Sequence, residues 1–192
     1  HNLLQLYTLN PSCSLWISGY QHIFPNASTT YSLPPSNEFN YPININTTKI
    51  SLVQYLLLKI RSQKVAWTSS VLVKKSLFLF VGGFPSDHHG EDQALWLKLV
   101  VHSDIIKSSF VTAFYNRNSA GLSSTLVRDD AVLNQCIISS KQNSDYTIKL
   151  LLVILYSHFR IVHAKSAFYR KRYTLCVWHL IHIYKALYCL LP

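Results

Sequence analysis

One stretch constrains the fold of this chain more than any other: Trp67 to Leu99, WTSSVLVKKSLFLFVGGFPSDHHGEDQALWLKL. At its centre Gly82-Gly83-Phe84-Pro85 reads as a tight turn whose backbone can approach a ligand closely. After a short polar loop, Gly90-Glu91-Asp92 opens a periodic apolar run, Ala94-Leu95-Trp96-Leu97. Two adjacent carboxylates at a helix start meet the partial positive charge of the first turn. Nowhere else do acids, histidines and glycines converge ahead of a periodic apolar segment, so any chemistry the chain carries is expected here.

The flanking sequence alternates strand and helix patterns. Leu15-Trp16-Ile17 and Tyr20 to Phe24 read as short strands, and Pro25-Asn26 and Leu33 to Asn37 as turns. Ile50, Val53, Leu56, Leu57 and Ile60 recur at helical spacing, with Lys59, Arg61 and Lys64 suited to the negative end of that helix. Val65 to Val73 reads as a strand ended by Lys74-Lys75, and Ser76 to Phe80 as a helical turn leading into the glycines. A helix is predicted over 90–101, with Leu95, Leu99 and Trp96 on its buried stripe. A strand over 109–115, a polar loop over 116–124 and an amphipathic helix over 129–138 follow. From Tyr146 onward the pattern is helical, apolar and basic. The expected class is α/β.

The order Thr68-Ser69-Ser70, then Val81-Gly82-Gly83-Phe84-Pro85, then Gly90-Glu91-Asp92 and Leu95-Trp96-Leu97-Lys98-Leu99 resembles the C-terminal half of family-2 glycosyltransferases of the GT-A fold. The resemblance runs from Trp67 to about Ser124 and includes Phe114-Tyr115-Asn116-Arg117. It implies a partial GT-A-like (Rossmann-like) domain over residues 1–128, followed by a basic, apolar helical tail over 129–192. It implies an inverting transfer from a nucleotide-sugar donor to a glycan or lipid-linked acceptor, with Asp92 as general base and Glu91 orienting the acceptor or supporting Asp92. Gly82, Gly83 and Phe84 would shape the acceptor pocket, Trp96 would wall a sugar site and Arg117 would lie near the diphosphate. Read without it, Glu91 and Asp92 cap a helix and Trp96 belongs to the core. Lys98 stands where the family often has arginine, which loses the bidentate fork. A divalent metal, Mg or Mn, is implied for a full-length parent, but the family's Asp-x-Asp metal motif is absent here, as is the donor-binding half. With no methionine in the chain, its start reads as truncated, and the chain alone is expected to be inactive.

Composition and charge narrow the alternatives. An apolar fraction of 49% with 13% aromatic residues excludes a disordered polymer. The net charge of +10 is uneven: from Lys141 onward eight Lys/Arg face one acid, Asp145. A basic, aromatic end suits an anionic lipid surface, and no nucleic-acid motif accompanies it. The expected location is cytoplasmic, peripheral at the inner face of the membrane. Leu150 to Leu155 is too short an apolar run to span a bilayer, and His179, His182 and Lys185 interrupt the longer run after Tyr173. Either an interfacial helix or one that closes the core fits this tail. Cys13, Cys136, Cys176 and Cys189 are scattered, with no C-x-x-C pair, and read as free thiols. Two further function classes stay open: a non-catalytic membrane-docking fragment, and a metal-binding module using Asp87, His88 and His89 with Glu91 and Asp92.

Overall fold

The computed structural model describes residues 2–23, 47–61, 65–66, 68–85, 90–116 and 130–188. They form a mixed α/β fold with a helical C-terminal part. Four strands lie in the order β2-β4-β1-β3: β1 is Leu15–Ile23, β2 Thr47–Ile50, β3 Val71–Val73 and β4 Ile105–Asn116. The central pair β1–β4 is parallel, from Leu15 beside Ile105 to Ile23 beside Asn116, with irregular register around Gly19. Both outer pairs are antiparallel.

Alternation along the strands sorts side chains onto two faces. Leu15, Ile17 and Ile105 face the main core, whereas Trp16 and Ile106 face a smaller cluster with Leu6 of helix α1, Asn2–Leu9. Four helices supply the main core: α2, Leu52–Ile60; α4, Glu91–His102; α5, Asp130–Gln142; and α6, Tyr146–Tyr169. The sheet is therefore covered by one short helix on one side and a helical layer on the other. The core is continuous across residue 129: Leu95, Trp96 and Leu99 share it with Leu133, Cys136, Leu152 and Tyr156.

Local chemistry accounts for the boundaries. Ser51 starts α2 through a capping box, exchanging hydrogen bonds with Gln54. Ile50, which the periodicity assigns to the helix, instead ends β2, because pairing with Ile105 buries it against the sheet. Thr68–Ser70 forms a 3-10 turn rather than strand, and β3 is confined to three residues. The Ser18 hydroxyl bonds the Ser70 carbonyl at 3.3 Å and the Thr112 hydroxyl, tying this turn to β1 and β4. Asp145 caps α6, its carboxylate accepting the N–H groups of Thr147 and Ile148 at 2.7 and 3.2 Å.

The tail is a helical hairpin of α6 and α7, Tyr173–Tyr188. By length and composition α6 could cross a membrane: it has 24 residues with a mean hydropathy of 1.3 over its most apolar window. Here it packs on α2, α5 and α7, and Leu152, Leu155 and Tyr156 are core residues.

Candidate functional site

The glycine turn begins as the end of a helix. Helix α3, Lys75–Phe80, stops when the Gly82 N–H bonds the Leu79 carbonyl at 3.1 Å and the Gly83 N–H bonds the Phe78 carbonyl at 2.9 Å. This is the Schellman pattern, with Gly82 in the left-handed position at φ 77°. Gly83 is left-handed too, and a Cβ there would meet the Phe78 ring at 3.2 Å. Phe84, 47% exposed, packs its ring edge-on against Phe78 at 5.9 Å between centroids. The motif Gly82-Gly83-Phe84 thus closes α3 and presents an aromatic face to solvent.

The acids lie at the start of α4. Gly90 occupies the N-cap position and supplies no capping side chain, and Glu91 and Asp92 fill the first turn. Both are half-buried. Oδ1 of Asp92 accepts the Gln93 N–H at 2.7 Å, while Oε1 of Gln93 accepts a hydrogen bond from Nζ of Lys59. That bond ties the end of α2 to the start of α4. Beneath them Tyr55 is fully buried; burial raises its phenol pKa well above the ordinary range, and negative charge at Cys136 and Asp92 adds to the rise. Burial also pushes the Cys136 thiol up to about 12, against the opposing pull of Lys59. Asp92 therefore sits at a boundary: its charge is felt in the core, and its carboxylate stands at a helix mouth with partial solvent access.

The other expected site residues fall differently. Trp96 is 4% exposed and belongs to the main core, because four consecutive residues of α4, Ala94 to Leu97, are buried between the sheet and the C-terminal helices. Its indole face is spent on packing and offers no wall to a solvent-borne sugar. Arg117, Asp87, His88 and His89 lie outside the described residues. Among the described residues no three His, Cys, Asp or Glu side chains are grouped to hold a metal ion. Asp92 and Glu91, neighbours on one helical turn, do not by themselves fit a divalent cation.

A second polar constellation escapes the motif reading. In the hairpin, Arg160 is 7% exposed and sits between rings, its guanidinium carbon 5.1 Å from the Tyr156 centroid and 4.7 Å from that of Trp178. Its Nε donates to the Tyr156 hydroxyl at 3.0 Å and its Nη1 to Nδ1 of His179 at 3.1 Å. The His163 and His179 rings meet edge-on at 5.3 Å. The signal was present: Tyr156, Arg160 and His163 recur at helical spacing within an otherwise apolar segment, as buried polar groups that must find partners.

No protein-family model matches this chain, and no curated protein matches it.

Proposed function

We propose that this chain is the acceptor-side part of an inverting, GT-A-like sugar transferase, with Asp92 as the base that takes the proton from the acceptor hydroxyl. The observation that carries the reading is the placement of Glu91 and Asp92 in the first turn of α4, half-buried, after a helix closed by the Gly82-Gly83 turn. A carboxylate in that position meets the positive end of the helix dipole, and a carboxylate can accept a proton. As it does so, the acceptor oxygen attacks the anomeric carbon from the face opposite the departing diphosphate, which inverts the configuration. Phe84 offers an exposed ring on which a sugar face can rest. The nucleotide-sugar donor and any metal belong to this proposal and not to the residues described. Saturation-transfer NMR with a panel of mono- and disaccharides tests it. Saccharide signals that weaken on Phe84→Ala and Asp92→Asn are expected; a panel that gives no signal against the folded chain overturns the acceptor-site reading.

A specific observation favours a second reading, a membrane-docking module. Helix α7 carries its apolar residues outward: Tyr173, Val177, Trp178, Leu180, Ile181 and Tyr184 are exposed, and its one buried residue among those described is His179. Arg170, Lys171 and Arg172 stand at the hairpin turn, all exposed. An apolar face with aromatic residues beside a basic cluster suits the anionic face of a bilayer. Binding to vesicles containing phosphatidylserine, weakened by salt and by Arg170→Gln/Lys171→Gln/Arg172→Gln on the order of 100-fold, is expected if each cation adds about 1 kcal/mol. Equal binding to phosphatidylcholine alone removes the electrostatic part, and no binding to either removes the reading.

A further inference from the structure

Helices α5, α6 and α7 enclose a cavity of about 620 Å³, well inside the roughly 300–1,000 Å³ of small-molecule sites. Its lining divides by depth. Cys136, Leu152, Val153 and Tyr156 are buried and make an apolar floor. Lys141 and Lys185 are exposed at the mouth, and Lys149 and His182 are half-buried beside them. Among the described residues no acid lines the cavity. The acid nearest in sequence, Asp145, turns its carboxylate to the backbone of α6 as its cap.

We propose that this cavity binds a single-chain amphiphile with an anionic head, the alkyl chain on the floor and the head among Lys141, Lys149 and Lys185. Lys141, Lys149 and Lys185 all line this one cavity, and none has an ion-pair partner among the described residues. An anionic head supplies the countercharge that the described lining lacks. An inorganic anion alone leaves the apolar floor wet, whereas an uncharged alkane leaves the lysines unanswered. Only a ligand with both parts satisfies the whole lining. The helix ends act in opposite senses: the N-terminal end of α6 adds positive potential, while the carbonyl ends of α5 and α7 are negative and are offset by Lys141 and Lys185 in their last turns. The site is distinct from the basic turn at Arg170–Arg172, which lies beyond the other end of α6, about 21 Å along the helix from Tyr156 and about 32 Å from Lys149 at 1.5 Å per residue. It requires neither sugar transfer nor bilayer docking.

Calorimetric titration of the full chain with monomeric dodecyl phosphate, below its self-association concentration, tests the site. Saturation at one ligand per chain is expected, with laurate within a few-fold, dodecanol at least tenfold weaker and inorganic phosphate without measurable heat. Lys149→Gln/Lys185→Gln is expected to weaken dodecyl phosphate at least tenfold and to leave dodecanol unchanged. Ala186→Phe, which narrows the cavity without altering charge, is expected to weaken both. Circular dichroism establishes that each variant folds; if Ala186→Phe does not, the comparison of the lysine variant with dodecanol still decides. Dodecanol binding as tightly as dodecyl phosphate, unchanged affinity in the lysine variant, or uptake by anionic vesicles with no binding of the monomer overturns the proposal.

Discussion

At the scale of the residue, two helix ends use the same geometry with different side chains. α3 ends on Gly82, and α6 ends on Lys171 at φ 58°, its N–H bonding the Phe168 carbonyl at 2.9 Å as Gly82 bonds Leu79, and the Arg172 N–H bonding the Ala167 carbonyl at 2.9 Å as Gly83 bonds Phe78. A left-handed L-residue costs roughly 1–2 kcal/mol. Lys171→Gly is therefore expected to raise unfolding stability by about 1 kcal/mol once the extra freedom of glycine in the unfolded chain is counted, and Gly82→Ala to lower it by about as much. Urea unfolding measures both. The thiols give a second test. Cys136 is buried, with its pKa pushed up to about 12, whereas Cys13 and Cys176 are partly exposed. A thiol reagent at neutral pH is expected to modify Cys13 and Cys176 and to spare Cys136 up to about pH 10, since only the thiolate reacts. Modification of Cys136 at neutral pH in the folded chain counts against the packing described.

At the scale of the element, α4 was legible and α7 was only half so. Glycine followed by two acids and an apolar run places a helix over 90–101, and the helix runs Glu91–His102. Its expected stripe is instead a nearly all-round buried surface, because layers above and below it come from distant parts of the chain. The histidines after Tyr173 read as interruptions of an apolar run; His179 is in fact the inward contact. Arginine can only donate, so Nδ1 of His179 must accept from Arg160 and carry no proton. A proton there sets two cations face to face. The groups packed around His179 are Arg160 and His163 of α6, with Trp178 beside it on its own helix. His179→Leu is expected to lower stability in urea unfolding by about 1–3 kcal/mol, because it leaves the buried Arg160 short of an acceptor, and His179→Gln, whose side-chain oxygen still accepts, is expected to recover most of that loss. Equal stability of His179→Leu and the parent chain shows that this bond contributes nothing.

At the scale of the whole molecule, the expected division at residue 129 does not divide the core. Ala94 packs with Ala131 and Val132, and the α4 residues behind the sheet meet Leu133, Leu152 and Leu155. A chain cut after residue 128 leaves that surface in water and is expected to show no cooperative unfolding transition; a sharp one shows that the first part folds alone. Most of the strands and helices were readable from local periodicity, because each pattern is set by neighbours in sequence, but the short helix α1 and the strand β2 were not. Which strands pair was not, because pairing depends on residues far apart: Ile50 looks helical until Ile105 claims it. The candidate base was visible as a motif, whereas the cavity lysines were not, since Lys141, Lys149 and Lys185 lie on α5, α6 and α7 and line one cavity only through the packing of these three helices.

The parallel pair at the centre of the sheet has a kinetic consequence. Leu15 cannot meet Ile105 until the whole intervening chain has been made and has looped back. Helices can flicker into being during synthesis, but the sheet must wait, and closing so long a loop slows folding. Until then α4 and the strands expose apolar surface to other chains. Refolding yield is therefore set by concentration, and dilution should rescue chains that crowding would lose.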